Sequence, residues 1–301
     1  DMQEFWGPSG PVAAAMAGFE ARPQQVDMAL AIEGAFADGR HLAVEAGTGV
    51  GKSFAYLVPV IRQVCESKQK AVVSTFTITL QEQLSYKDIP FLKGCLPQSF
   101  EAVLAKGRGN YLCKRRLDFA WRMQPSLFGP ASHELDAIRQ WAQTTEDGSL
   151  SDLSFLPSRA TWDKVRSEHG NCRGRKCPHY HGCFYAHARQ KWEQADLIVA
   201  NHALLLNDLT LKEQGVGLLP DYKIVVLDEA HNLERVAEEH FGIDITNHRA
   251  KYLLDELYNP HTRRGLLAHS DGDEIIKLVS ETGKAASDFF RKVRAWYDTE
   301  K

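Results

Sequence analysis

A glycine-rich loop, Ala46-Gly47-Thr48-Gly49-Val50-Gly51-Lys52-Ser53, constrains this chain more than any other feature. It follows a short apolar run over residues 41–46, which reads as a strand. It precedes a stretch with helical spacing, in which Tyr56, Val60 and Val64 share a side. Gly47, Gly49 and Gly51 let the backbone turn tightly between strand and helix, so that N–H groups face phosphate oxygens at a helix N-terminus. With Thr48 completing the loop, Lys52 would reach the β- and γ-phosphates and the Ser53 hydroxyl would ligate Mg2+. Ala46 stands where the usual pattern has its first glycine. A purely structural glycine turn is the alternative, and the strand-loop-helix context speaks against it.

The loop needs an acidic partner, and the sequence supplies one far downstream. Asp228-Glu229-Ala230-His231 follows Ile224-Val225-Val226-Leu227, so Asp228 sits at the C-terminal end of a strand. That is where ligands bind in open α/β sheets. Asp228 would hold Mg2+, mainly through water, and Glu229 is placed to polarise an attacking water as general base. Alone, Asp-Glu is a common surface dipeptide; behind four apolar residues and paired with the loop it is informative. Ser53 and Asp228 are 175 positions apart, more than a few βα units need.

Runs at 70–75, 196–201 and 224–228 read as further strands, short and apolar. Helical spacing occupies residues 19–39, entered at Arg22-Pro23, and resumes at 79–86. Continuous apolar strands alternating with helices indicate a parallel sheet covered on both faces. Residues ~12–105 and ~193–236 therefore form one α/β domain, split by an insertion. From Glu234 onward the sequence is mostly helical, with loops near Asn259-Pro260 and Ser270-Asp271-Gly272.

The insertion, residues 106–192, lacks strand patterning and carries Cys113, Cys172, Cys177 and Cys183. Between Lys106 and Lys191 there are 15 Lys/Arg against 8 Asp/Glu, whereas the whole chain carries a net charge of −3. A basic module on an acidic body indicates local binding of a polyanion, unless it is merely a solvated basic surface. Four thiolates suit an iron–sulfur cluster or tetrahedral zinc. The first cysteine stands alone and the last gap is wider than a zinc knuckle uses, which favours a cluster. Zinc, with His179 and His181 as spare ligands, stays the alternative. Cys65 and Cys95 have no partner spacing and read as packed thiols. Arg108, Lys114, Arg115, Arg116, Arg173, Arg175 and Lys176 crowd the four cysteines. They would offset an anionic cluster, contact phosphates, or both. Tyr111, Trp162, Tyr180 and Tyr185 are interleaved as candidate base-stacking rings; Phe119 and Phe184 read as core. No apolar run approaches the ~20 residues of a membrane span, and the first residues lack the pattern of a signal peptide.

Taken together these runs resemble the iron–sulfur superfamily-two helicases, the DinG/XPD family, in its DinG-like form. Asp228-Glu229-Ala230-His231 resembles that family's motif II. Glu20-Ala21-Arg22-Pro23-Gln24-Gln25 resembles its Q motif, and Ser74 through Leu84 its motif Ia. Gly107-Arg108-Gly109-Asn110-Tyr111-Leu112-Cys113 resembles the approach to its first cluster ligand. Ala195 through His202 resembles the strand that returns to the motor. The resemblance covers residues ~19–240.

It implies a RecA-like P-loop NTPase fold with an inserted iron–sulfur domain and the start of a helical arch. The expected divisions are 1–105 and 193–236 for the first motor domain, 106–192 for the cluster domain and 237–301 for the arch. The chain then reads as an N-terminal portion that stops inside the arch, without the strand bearing motif III and without a second motor half. ATP, Mg2+ and a [4Fe–4S] cluster on Cys113, Cys172, Cys177 and Cys183 are the implied cofactors. Gln25, supported by Arg22, would read adenine, and His231 would link the nucleotide and DNA sites. The implied activity is an ATP-dependent DNA helicase of repair or replication type, moving 5′→3′ on single-stranded or forked DNA as a monomeric cytoplasmic, nucleoid-associated motor. Two other classes stay open: a binding module that holds nucleotide and nucleic acid without cycling, and a zinc-stabilised ATPase acting on RNA.

Overall fold

The computed structural model describes residues 2–47, 49–123, 130–242, 245–260, 265–268 and 273–300. Two compact units divide the chain, residues 1–240 and 241–301.

Four parallel strands organise the first unit: β1 (Ala71–Thr75), β2 (Ala102–Leu104), β3 (Leu197–Asn201) and β4 (Ile224–Leu227), in the order β2-β3-β1-β4. β1 is central, with Val72 opposite Ile198 on one side and Val225 on the other. Successive side chains of a strand face opposite sides of a sheet, and here the alternation builds two cores. Ala71, Val73, Leu197 and Val199 face one core. It draws on α1 (Met2–Phe5), α2 (Pro11–Ala15), α3 (Pro23–Asp38), α4 (Lys52–Ser67) and, beyond α5 (Ile78–Gln83), α6 (Ile89–Cys95). A π-helical turn, Leu84–Asp88, joins α5 to α6. Tyr56, Val60 and Val64 are all buried, as their spacing requires.

Val72, Ile198 and Ala200 face the second core. Its other members come largely from the cysteine-bearing segment, through α7 (Lys114–Arg122), α8 (Pro130–Trp141), α9 (Arg159–Val165) and α10 (Phe184–Gln194). That segment is thus packed directly on one face of the sheet. α11 (His202–Glu213) follows β3, its start capped by Asn201, whose Oδ1 accepts the Leu204 N–H at 2.8 Å. α12 (Leu233–Phe241) follows β4. In the second unit α13 (Asn247–Leu257) packs on α14 (Asp273–Thr299), with the Cδ1 of Leu254 beside Gly283. Among the described residues no helix is long and apolar enough to cross a membrane.

Three expectations need correction. Residues 41–46 form no strand. A strand needs a ladder partner, and among the described residues nothing pairs with them or with the outer edge of β4. Leu42, Val44, Val225 and Leu227 are consequently exposed. β2, too short for its alternation to be read, is an additional strand. Phe119 is exposed, whereas Tyr111, Trp162 and Tyr185 are buried in the second core and cannot stack on bases. The expected loop at 270–272 lies outside the described residues.

Candidate functional site

The glycine loop meets the acidic strand end at the C-terminal edge of the sheet. Gly49 and Gly51 have φ of 81° and 86°, values that side chains disfavour. At Gly51 a Cβ would also come within 2.4 Å of Gln25 Nε2. Gly51 is the N-cap of α4, so Lys52 and Ser53 occupy its first turn, where free N–H groups and the helix dipole favour an anion. Thr48 lies outside the described residues, and Gly47 lies in no helix or strand.

Lys52 Nζ stands 3.0 Å from Glu229 Oε1, so the loop lysine and the candidate base face one space. Asp228 is held twice by the end of β1: its N–H donates to the Ser74 carbonyl at 2.8 Å, and its Oδ2 accepts from Thr75 Oγ1 at 3.0 Å. Burial raises its carboxyl above the ordinary carboxylate range, and adjacent Glu229 adds to the shift. A bound cation would relieve that penalty by pairing with the ionised form. Glu229 has φ 55° and ψ 42°, the left-handed region, which costs a residue with a side chain about 1–2 kcal/mol. His231 is exposed, with Nδ1 3.6 Å from Glu229 Oε2.

Gln25 is buried, and its Nε2 donates to the Gly51 carbonyl at 3.0 Å. Arg22 donates to the Gly49 carbonyl. Both residues therefore brace the loop. Ser53 and Asp228, with phosphate oxygens and water, are a donor set of the kind Mg2+ takes, since Mg2+ usually keeps several waters and needs only one or two protein ligands.

Two side chains at this site carried no signal of their own. Asp88 ends the π-helical turn, a feature often found at functional sites, and accepts from Gln83 Nε2 at 3.4 Å. Burial raises its carboxyl, and the Ser53 hydroxyl counters the shift. Tyr56 is buried beside Asp228 and Ser53, and burial raises its phenol. Asp88 belongs to no spacing pattern, and the helical spacing that marks Tyr56 as buried gives no sign that its phenol lies beside Asp228.

Around the four cysteines, three segments converge on α7. Cys113 and Cys183 are the N-caps of α7 and α10. Arg115 donates to the carbonyl of Asn171, next to Cys172, at 2.5 Å. His179 Nε2 lies 3.2 Å from Asp118 Oδ2. All four thiols are free. Burial raises the Cys113 thiol, the backbone of Arg116 and the charge of Arg115 oppose this, and Cys183 is near enough to add to the rise. Among the described residues, however, no three His, Cys, Asp or Glu side chains are gathered to hold a metal. Cys65 is half-buried and Cys95 buried.

The surrounding cations divide into two sets. Arg116 pairs with Glu168 at 2.5 Å and donates to the carbonyls of Asp163, Lys164 and Arg166. Arg108 covers the Tyr185 ring at 4.2 Å and Lys114 the Phe184 ring at 4.4 Å. Arg173, Arg175 and Lys176 are exposed and make no ion pair among the described residues.

Comparison with known proteins gives the same picture. Residues 23–94 match the DEAD/DEAH box helicase family and residues 173–250 match the DEAD_2 family. The ATP-dependent DNA helicase YoaA of Escherichia coli is 37% identical over 96% of this chain and 44% of its own length. The ATP-dependent helicase DinG of Mycobacterium tuberculosis is 38% identical over 73% of this chain and 35% of its own length. The 3′-5′ exonuclease DinG of Bacillus subtilis is 28% identical over 97% of this chain and 30% of its own length. The chain spans less than half the length of these curated relatives.

Proposed function

This chain belongs to the DinG-like DEAD/DEAH-box helicases, and from that premise we propose that its site binds and hydrolyses ATP to drive an intact gene product along DNA. The observation that carries the reading is the apposition of Lys52 and Glu229 at 3.0 Å across one space at the sheet edge. The loop N–H groups and Lys52 would bind the phosphates, and Ser53 and Asp228 would hold Mg2+. The metal would supply charge neutralisation on the phosphoryl oxygens. Glu229 would take the proton of the attacking water. Its reach to Lys52 means that the ion pair must open for a γ-phosphate to enter between them. Gln25 would read adenine while bracing the loop from behind, and Arg22 would support the same wall. His231, next to Glu229 and exposed, would pass the state of the nucleotide toward DNA.

Residues 106–192 would form the cluster domain, with Cys113, Cys172, Cys177 and Cys183 holding a [4Fe–4S] cluster. Four free thiols on segments that converge around one helix start have the chemistry that cluster requires, and a cation-rich surround would stabilise its anionic charge. The described side chains are not gathered as ligands, so the reading rests on the donor set and not on distances. Residues 1–105 and 193–236 would then be motor and 237–301 the start of an arch. Exposed Arg173, Arg175 and Lys176 favour a polyanion partner, and the helicase relatives favour DNA, taken as a single strand and tracked 5′→3′. The deciding experiment measures ATP turnover by the intact gene product with and without single-stranded DNA. Turnover stimulated by DNA and abolished by Lys52→Ala is expected. Nucleotide binding without turnover would return the reading to a non-cycling module.

A further inference from the structure

His202 is the first residue of α11, directly beyond the tip of β3. It is buried to 1% exposure, an unusual place for an imidazole at the end of a strand. Its Nδ1 lies 2.8 Å from the Oγ of Ser74, on neighbouring β1. Ser74 is itself fully buried, and its carbonyl receives the Asp228 N–H. The ring thus spans β1 from the β3 side toward the end of β4.

What lies there is the main chain of the candidate base. Burial lowers the ring's pKa, so the neutral form is the resident one, while main-chain groups of Glu229 and Asp228 act in the opposite direction. Carbonyl oxygens facing a ring N–H have that effect. In the neutral tautomer whose Nδ1 accepts from the Ser74 hydroxyl, Nε2 carries the proton. Yet Nε2, buried, meets no hydrogen-bond partner at bonding geometry. A buried donor left unpaired beside carbonyls is a bond waiting for a small displacement. The main chain near the ring includes that of Glu229, held in the left-handed region at φ 55°. Asn232 N–H donates to the Glu229 carbonyl at 3.0 Å.

We propose that His202 is a positioning residue for Glu229: anchored through Nδ1 to Ser74, it fixes the left-handed Glu229 peptide through Nε2 and so aims the carboxylate. The bond closes when nucleotide separates Lys52 from Glu229 and the acidic strand end settles. Because Ser74 and Thr75 both grip Asp228 and lead into Phe76, whose ring lies 4.8 Å from the Arg235 guanidinium, His202 ties β1, β3 and β4 into one unit at the site. The inference rests on the reading of Glu229 as the base of an ATPase.

The test compares His202→Ala, His202→Gln and His202→Asn in the intact gene product, with Glu229→Gln as control. An amide at the Gln position reaches where Nε2 stood, and an Asn amide only where Nδ1 stood. His202→Ala should lower kcat about tenfold or more while nucleotide Kd stays within about twofold, the pattern of a misaimed catalytic group. Gln should recover most of the loss and Asn should not. A second readout does not depend on turnover: amide hydrogen exchange across 226–235 should quicken in His202→Ala and return toward wild type in His202→Gln. Wild-type turnover in His202→Ala, equal loss in Gln and Asn, or unchanged exchange would each overturn the proposal. A wild-type protein without ATPase activity would sink the underlying reading, and exchange would still judge the positioning.

Discussion

Lys52 Nζ and Glu229 Oε1 stand 3.0 Å apart although 177 positions separate them in the chain. The pair is about a quarter exposed on each side, so it is neither a screened surface contact nor a sealed ion pair. On the proposed reading Glu229 would be a gate as well as a base. Glu229→Gln should leave nucleotide affinity equal or slightly higher, because the lysine is freed for phosphate. ATP turnover should fall by about 10²–10⁴-fold, the usual worth of a positioned general base. Fluorescent-nucleotide titration and a phosphate-release assay measure the two effects separately, and near-normal turnover would remove Glu229 from its role.

Iron content checks the cysteine quartet. Anaerobically purified protein should carry about four irons per chain and absorb in the visible, as a four-thiolate cubane site implies. Cys177→Ser should make that iron labile. Stoichiometric zinc without colour would favour the zinc reading, and full iron retention in the variant would remove Cys177 from the ligand set.

Arg173, Arg175 and Lys176 are exposed cations of the basic segment and make no ion pair among the described residues. Replacing all three by Gln should weaken single-strand binding at low salt. The slope of log K against log salt should flatten by about 2, from three lost phosphate contacts at roughly 0.7 each. An unchanged slope with the cluster retained would show that these residues serve something other than DNA.

The Glu168 carboxyl is held below its usual range, first by its hydrogen bond to Arg116, then by Asn171. A depressed folded-state pKa stabilises the protein above the unfolded value of about 4.3 and is lost as pH falls through the folded value. Glu168→Gln should therefore cost about 1 kcal/mol or less at neutral pH, a few degrees at most in melting temperature. The difference from wild type should shrink steadily below about pH 4. A difference that grows on acidification would contradict the pairing.

Asp208 tests how the acidic strand is delivered. It is fully buried. Its carboxylate accepts from Leu218 N–H at 2.8 Å, Leu219 N–H at 2.6 Å and the Tyr222 hydroxyl at 2.9 Å, with Lys212 Nζ 3.0 Å away. These bonds fold residues 214–222 back before β4 begins. Asp208→Ala strands several buried donors and should destabilise the first unit by about 2–4 kcal/mol. Thermal melting should show it, with Asp208→Asn losing less.

Local pattern alone carried much of this protein. The glycine loop, three of the four strands and the acidic strand end are all written in residues a few positions apart, where backbone sterics and apolar periodicity act. Tertiary structure decided the rest. It left 41–46 without a strand, because a strand exists only with a hydrogen-bonded neighbour. It turned Tyr111, Trp162 and Tyr185 into core, because the cysteine segment lies on a sheet face whose apolar side chains needed cover. It brought Asp88 and His202 to the edge where Asp228 lies, since strand order β2-β3-β1-β4 sets which chain segments become neighbours. No spacing rule records an encounter between residues that meet only after the sheet has assembled.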